Sequence, residues 1–293
     1  MERVLTISKK NPRKKARKAA VRTAQYTSLS VLVFIVLLPV MILALKAFMT
    51  RDESIDVPIV IFPSRVSFDG LIAAFDGGFL NELKNTLIVA GVNCIAIPLS
   101  ASLCAYGFTR CKFIGRDIWF AVTLATIMLP GIVVQIPVFV MFVSFGWLNT
   151  FYPLIVPSFL GGGAVNIFLI RQFIKGVPKE IREAAKIDGA NEFYIYLIMT
   201  MPLCLPVLLL ITVNTFIGCW NDFMGPLLYL RQAKVYTLGI GIYHRFPPAT
   251  NQQITYPNEQ MAACLLMLIP PAVLFFIFQR QLIEGVALNV VKG

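Results

Sequence analysis

The sequence predicts an all-α, polytopic membrane protein with six transmembrane helices and one short helix outside the membrane, between the fourth and fifth of them. Of its 293 residues, 57% are hydrophobic and 14% are charged, which lies outside the composition of soluble domains. The mean hydropathy is positive. Several uncharged runs are long enough to cross a bilayer, which takes roughly 20 apolar residues in a helix. These three observations indicate a membrane-embedded chain.

The uncharged runs give the spans in chain order. They cover residues 29–45, 85–109, 118–170, 193–221 and 260–279. The run at 118–170 is too long for one helix, which rises 1.5 Å per residue. The sequence Gly-Trp-Leu-Asn-Thr at 146–150, followed by Pro153, is typical of a turn and divides this run into the third and fourth spans.

Glycine and proline positions predict local irregularities within the spans. Prolines occur in almost every span, including Pro130 and Pro206, and each one tends to kink its helix. Residues 161–163 are three consecutive glycines inside the fourth span. This triplet predicts either a close helix crossing or a local break.

The distribution of lysine and arginine predicts the orientation. With six spans, both termini lie on one side, together with the loops at 110–117 and 171–192. This side carries 19 of the 26 basic residues, so it is expected to be cytoplasmic. The net charge of +11 is therefore mostly a matter of topology. We expect a basic cytoplasmic tail at 1–27 that can also contact anionic membrane lipid. No nucleic-acid partner is expected.

No catalytic motif stands out in the sequence. The metalloprotease pattern H-E-x-x-H, the hydrolase pattern G-x-S-x-G and the nucleotide-binding pattern G-x-x-x-x-G-K-[ST] are all missing. The six cysteines lie in or beside predicted spans and form no C-x-x-C pair, so they are read as small apolar residues. We therefore expect a non-catalytic chain without cofactor or metal. If ATP drives it, another subunit must bind the ATP.

The loop at 171–192 has the features of a short, rigid helix followed by a tight turn. Pro178 suits the start of a helix, and Lys179 can pair with Glu183 one turn later. Gly189 stands where a helix end needs left-handed geometry. Asn191 can then cap the next helix, which continues into the fifth span. A force on the short helix would therefore reach a transmembrane helix.

This loop resembles the EAA loop of ATP-binding-cassette (ABC) import permeases, in which E-A-A is followed by three residues and G. Glu183, Ala184, Ala185, Gly189 and the later Pro202 match in register, while Met199 and Met201 replace the usual Ile and Leu. In that family the ATPase partner grips the membrane subunit at this loop. The resemblance implies that the ATPase-coupling residues are Glu183, Ala184, Ala185, Asp188 and Gly189.

Residues 130–293 are similar as a whole to the second permease of maltose-type carbohydrate importers. The matching segments include 146–150, 171–173, 183–190, 220–223, 236–238 and the terminal 291–293. The resemblance implies a permease domain at 28–293 in the bacterial inner membrane. It also implies a second homologous permease, two ABC ATPase subunits that bind ATP-Mg, and an extracytoplasmic solute-binding protein. The implied solutes are oligo- or polysaccharides, including uronate polymers such as alginate, moved by alternating access.

Polar residues near the end of the fifth span are the candidates for solute contact. They are Asn214, Trp220, Asn221 and Asp222. Polar groups in a span tend to face interiors or pathways, and an aromatic face suits a sugar ring. Trp220 can instead anchor a helix at the membrane interface, and Asp222 can instead pair with a basic residue. The competing function is a gradient-driven secondary transporter, which would favour ionisable residues inside the spans.

Overall fold

The computed structural model describes residues 12–55, 61–247 and 256–290, and all regular secondary structure in these ranges is helical. The predicted all-α class is confirmed. Predictions that concern residues 1–11, including part of the basic tail, and the terminal 291–293 lie outside the described residues. The helices are α1 (Pro12–Ala47), α2 (Arg51–Ile55), α3 (Asp69–Ala74), α4 (Leu80–Arg110), α5 (Arg116–Ala125), α6 (Gly131–Ser144), α7 (Tyr152–Ile155), α8 (Ala164–Gly176), α9 (Lys179–Ile187), α10 (Glu192–Tyr194), α11 (Met201–Leu203), α12 (Leu205–Asn221), α13 (Met224–Tyr229), α14 (Leu238–Arg245) and α15 (Pro257–Val290).

Four helical segments are each long and apolar enough to cross a membrane. They are Ala20–Ala47, Asp69–Arg110, Tyr152–Gly176 and Pro257–Gln279. Two further spans are each formed by a bent pair of helices. Arg116–Met128 meets Gly131–Ser144 at 101°, and Glu192–Leu203 meets Leu205–Asn221 at 77°. The six predicted spans are therefore present when each bent pair counts as one.

The two bends are a correction, because the sequence predicts six spans that are each a single helix. The first bend lies at Leu129, whose backbone is extended, followed by Pro130. The second lies at Cys204, two residues before Pro206. Proline has no amide hydrogen and its ring clashes with the preceding turn, so the helical hydrogen-bond ladder is interrupted at both places. The angles are far larger than a simple proline kink.

The chain forms two compact units. The first contains Met1–Leu71 and Tyr256–Leu265, and the second contains Ile72–Thr255 and Leu266–Gly293. In the first unit, the Arg51 guanidinium and the Glu259 carboxylate are 2.6 Å apart. The Asn258 side chain donates to the backbone carbonyl of Met49 at 3.2 Å. These two bonds connect the end of α1 to the start of α15.

In the second unit, α4 packs against α8 and α12. Ala101 and Ala105 of α4 are fully buried there, and Ile170 and Ile211 approach the same cluster from α8 and α12. Small residues let helix backbones come close together, which is the usual basis of helix association in membranes. This three-helix contact is the core to which the loops at both ends of α4 are attached.

The glycine triplet at 161–163 shows both features that the sequence left open. All three residues have positive φ and separate the 3₁₀ turn Val156–Phe159 from α8. A Cβ on Gly162 would overlap the backbone carbonyl oxygen of Ile97 in α4. The triplet is thus a local break and a close helix crossing at once.

Around the N-terminal end of α4, the second unit contains a buried ion pair. The Arg245 guanidinium in α14 lies 2.5 Å from the Glu82 carboxylate and also donates to the carbonyl of Ala74 at 3.2 Å. A Cβ on Gly241 would overlap the Glu82 carboxylate, and one on Gly77 would lie 2.7 Å from Nε of Arg245. A side chain at either glycine would therefore displace one partner of the pair.

Candidate coupling site and solute pathway

Helix α9 ends in a tight turn built on Gly189. The φ angle of this residue is +83°, a left-handed conformation that glycine adopts without steric cost. The Gly189 amide donates to the carbonyl of Lys186 at 3.1 Å, and the Ala190 amide donates to that of Ala185 at 2.9 Å. These two bonds form the Schellman motif that closes a helix C-terminus. The predicted helix end at Gly189 is confirmed.

The next helix begins two residues after this turn. The Asn191 side chain accepts a hydrogen bond from the Tyr194 amide at 2.7 Å, as the sequence predicts for an N-cap. From Glu192 the chain runs through α10 and the π-helical segment Ile195–Thr200 into the fifth span. Only the turn at 188–191 separates the short helix from a transmembrane one.

One carboxylate connects α9 to two transmembrane spans. Glu192, at the start of the fifth span, forms ion pairs with Arg182 and Lys186, which lie one turn apart on α9. The Lys186 ammonium is 2.6 Å from the carboxylate. The Tyr106 hydroxyl, near the end of α4, donates to the same carboxylate at 2.7 Å. We refer to Glu192, Arg182, Lys186 and Tyr106 as the Glu192 clamp.

Further contacts hold the surroundings of the clamp. The Tyr106 and Tyr196 rings pack edge to face with centroids 5.3 Å apart, and the Tyr196 hydroxyl lies 2.8 Å from that of Ser102. The Arg110 guanidinium donates to the backbone carbonyls of Ile174 (2.9 Å) and Val177 (2.7 Å). The end of α4 therefore fixes both the end of α8 and the start of the fifth span.

Of the five predicted coupling residues, one faces the helix bundle and four lie on the outer, exposed side of α9 and the turn that follows it. Ala185 is buried, with 3% of its surface exposed. Glu183, Ala184, Asp188 and Gly189 are exposed. Ile187, which shares the outer face with Ala184, is 87% exposed. Helix α9 therefore presents an acidic face with an apolar centre, while its opposite face is attached to the bundle.

The expected ion pair between Lys179 and Glu183 is not formed among the described residues. Ion pairs between exposed residues contribute little, and Lys179 and Glu183 are both exposed. The ion pairs of α9 run instead from Arg182 and Lys186 across the turn to Glu192. This leaves Glu183 free on the outer face.

The Glu192 clamp is not among the sites predicted from the sequence. Arg182 and Lys186 have helical spacing, which places both on one face of α9, and Glu192 follows on the far side of a predictable turn. This signal was available in the sequence. The contribution of Tyr106 was not, because it depends on how α4 packs against the fifth span.

The solute-pathway candidates lie in different environments. Trp220 is 2% exposed, and its indole N–H donates to the carbonyl of Met267 in α15 at 3.1 Å. Asn214 and Asn221 are exposed on α12. The Asp222 side chain accepts a hydrogen bond from the Gly225 amide at 3.1 Å and forms no ion pair in the described part of the chain. Trp220 is thus a packing residue here, and the other three stay accessible.

The fold and the site together define a class: a helical membrane protein in which an exposed short helix is attached to two transmembrane spans. The chain belongs to the family of binding-protein-dependent transport system inner membrane components, whose pattern matches residues 97–287. This match includes the Glu192 clamp and all the predicted coupling and solute-pathway residues.

Three proteins illustrate what this chain is similar to. The arabinooligosaccharide transport system permease protein AraQ of Halalkalibacterium halodurans is 28% identical over 89% of this chain and 92% of its own length. A bacterial ABC transporter involved in import of the acidic polysaccharide alginate has the same fold, with a TM-score of 0.80 and 18% identity. The match covers 90% of this chain and 97% of the chain in that structure. A bacterial alginate ABC transporter in complex with an alginate pentasaccharide-bound periplasmic protein matches with a TM-score of 0.63 and 16% identity. This match covers 92% of this chain and 97% of the chain in that structure.

Proposed function

We propose that this chain is a membrane-spanning permease subunit of an ATP-driven ABC importer for carbohydrates. The observation that carries the proposal is the combination of an exposed outer face on α9 with the Glu192 clamp on its inner face. The outer face is free to seat on another protein. The inner face is connected to the spans that would have to move.

The clamp suggests how a movement would be transmitted. An ATPase that displaces α9 would act on Arg182 and Lys186, and through them on Glu192 at the start of the fifth span. The hydrogen bond from Tyr106 would carry the same displacement to α4. Because the turn closed by Gly189 is short, α9 cannot move far without moving the start of the fifth span. Alternating access would follow from the joint movement of these spans.

The proposed complex contains a second homologous permease, two ABC ATPase subunits and an extracytoplasmic solute-binding protein. ATP-Mg would be bound and hydrolysed by the ATPase subunits and not by this chain. Both termini and α9 would face the cytoplasm, with residues 1–27 as a basic tail and 28–293 as the permease domain. The relatives support this assembly, since one is an oligosaccharide permease and one neighbour carries a periplasmic protein.

The proposed solutes are oligo- or polysaccharides, including uronate-containing ones such as alginate. Asn214, Asn221 and Asp222 are accessible and offer the hydrogen-bonding groups that sugar hydroxyls need.

Trp220→Phe tests the assignment of Trp220 to packing. It should lower the melting temperature by a few degrees, since one hydrogen bond is worth about 1 kcal/mol, and leave the solute dependence of uptake unchanged. A changed solute dependence of uptake would indicate that Trp220 contacts the solute.

Reconstitution in liposomes tests the proposed function. The chain, its partner permease, the ATPase subunits and the solute-binding protein should together take up solute only when ATP is present on the α9 side. Omission of the ATPase should abolish uptake even with an ion gradient imposed. Gradient-driven uptake by this chain without partners would contradict the proposal and support a secondary transporter.

A further inference from the structure

A basic pocket lies where four helices meet, beside the start of α9. The end of α4, the start of α5, the last turns of α8 and the first residue of α9 surround a cavity of about 250 Å³. A water molecule occupies about 30 Å³, so the cavity has room for a phosphate group with part of its hydration shell. The cations that line it are Arg110, Arg116, Arg171, Lys175 and Lys179.

The positive charge of this basic pocket is only partly balanced within the chain. Arg116 pairs with the Asp117 carboxylate at 3.1 Å. Arg110 donates to two backbone carbonyls, which carry no formal charge. Arg171, Lys175 and Lys179 form no ion pair within the described residues. Arg171 and Lys175 are also one helical turn apart, a spacing at which like charges repel.

The Arg171 guanidinium is held by an aromatic ring, while its Nε donor has no acceptor among the described residues. Its guanidinium lies over the Phe120 ring, 3.7 Å from the centroid. Its Nε is enclosed and has no hydrogen-bond partner in the described parts of the chain. An enclosed donor without an acceptor is unfavourable, so a shift of the Arg171 side chain towards an acceptor in the pocket would be favoured. The stacking on Phe120 fixes the guanidinium in advance, so little order would be lost on binding.

Exposed apolar residues beside the pocket indicate where the anion comes from. Ile114 is 99% exposed, and Ile118 and Trp119 are 71% and 61% exposed, all within nine residues of Arg110. Exposed tryptophan beside a transmembrane helix is typical of the membrane–water interface. The phosphates of anionic lipids lie at this depth and attract lysine and arginine.

We propose that the basic pocket binds a phosphate group, and that its position favours the headgroup of an anionic phospholipid in the leaflet next to α9. The cytoplasmic identity of that leaflet rests on the orientation proposed above; the binding itself does not. A phosphate held there bridges α4, α5, α8 and the first residue of α9. The lipid therefore stabilises the junction from which α9 extends.

Lipid retention by the full-length chain tests this proposal. The chain is placed in bilayer discs of phosphatidylcholine with a minor fraction of phosphatidylglycerol, and the lipids retained after extraction are counted by native mass spectrometry. The Lys175→Gln/Lys179→Gln variant should bind phosphatidylglycerol roughly 30-fold more weakly, which corresponds to about 1 kcal/mol for each lost cation. Both lysines are exposed, so the fold should persist. Arg171→Gln is the second variant. Lys84→Gln/Lys234→Gln, which changes two exposed lysines outside both the basic pocket and the basic tail, is the charge-matched control that should retain binding.

A second arm separates the lipid from free phosphate. In discs of phosphatidylcholine alone, the melting temperature is followed as inorganic phosphate is added. Stabilisation that is lost in the pocket variants but kept in the control would identify free phosphate as the ligand. Unchanged phosphatidylglycerol retention and unchanged response to phosphate in both pocket variants would overturn the proposal. If those variants also failed to assemble with the ATPase, an acidic protein surface would be the partner of the pocket instead.

Discussion

The two ends of α4 each hold a glutamate–arginine contact, and the two contacts are built differently. Glu82 and Tyr106 are 24 residues apart, about 36 Å along the helix. At the N-terminal end, the Glu82 and Arg245 side chains are 9% and 16% exposed, and one Glu82 oxygen has no hydrogen-bond partner among the described residues. At the C-terminal end, the Glu192 and Arg182 side chains are 39% and 23% exposed, and Glu192 has three donors.

This difference separates a fixed contact from an adjustable one. The Glu82–Arg245 pair is largely enclosed, and its side chains pack directly against Gly241 and Gly77. The Glu192 clamp is partly solvated, and three donors from two elements share one carboxylate. Its members can shift while some of the bonds persist. A coupling element needs the second kind of contact, whereas the anchoring of α14 against α4 needs the first.

The largest expected effect is that of Arg245→Met. Removal of one partner leaves the buried Glu82 charge uncompensated, which costs about 3–5 kcal/mol. The melting temperature of the purified chain should therefore fall sharply. The double variant Glu82→Gln/Arg245→Met removes both charges and should recover most of the loss. A single variant as stable as the wild type would show that the Glu82 charge does not depend on Arg245.

Glu192→Gln should have a smaller effect on stability and a larger one on coupling. Hydrogen bonds to a charged group contribute about 1.5–3 kcal/mol, but solvent screens part of this at a half-exposed site. We expect a loss of about 1–2 kcal/mol. A double-mutant cycle with Arg182→Gln should give strongly non-additive changes in melting temperature. Additive changes would mean that Arg182 and Glu192 do not interact.

Gly189→Ala should have the smallest effect of the three on stability. A Cβ on this residue meets no neighbour within 4 Å, so the whole cost is the left-handed conformation, about 1 kcal/mol. Gly189→Asn should cost less, because asparagine tolerates this region. Gly176→Ala is the control, since that glycine also has open space but lacks positive φ. Equal losses at both glycines would contradict the turn geometry.

The sequence predicts those features that depend on local chemistry. The turn at Gly189, the cap at Asn191, the break at 161–163 and the span boundaries follow from residue preferences and uncharged runs. The bends at Leu129 and Cys204 were not predicted in size, because a proline marks a weak point but tertiary packing sets the angle. The contribution of Tyr106 to the Glu192 clamp depends on how α4 packs against the fifth span, and the burial of Trp220 depends on its contact with α15. No local pattern encodes either of these contacts.

The ATP consumed for each solute transported by the reconstituted importer tests the central claim most directly. Glu183→Ala changes the outer face of α9 and leaves the Glu192 clamp intact. Asp76→Ala removes an exposed carboxylate near the other end of α4 and serves as the control. We expect Glu183→Ala to insert normally and hydrolyse ATP while uptake falls at least tenfold, with Asp76→Ala unchanged. Wild-type uptake and wild-type solute-stimulated hydrolysis in Glu183→Ala would contradict the assignment of α9 as the coupling helix.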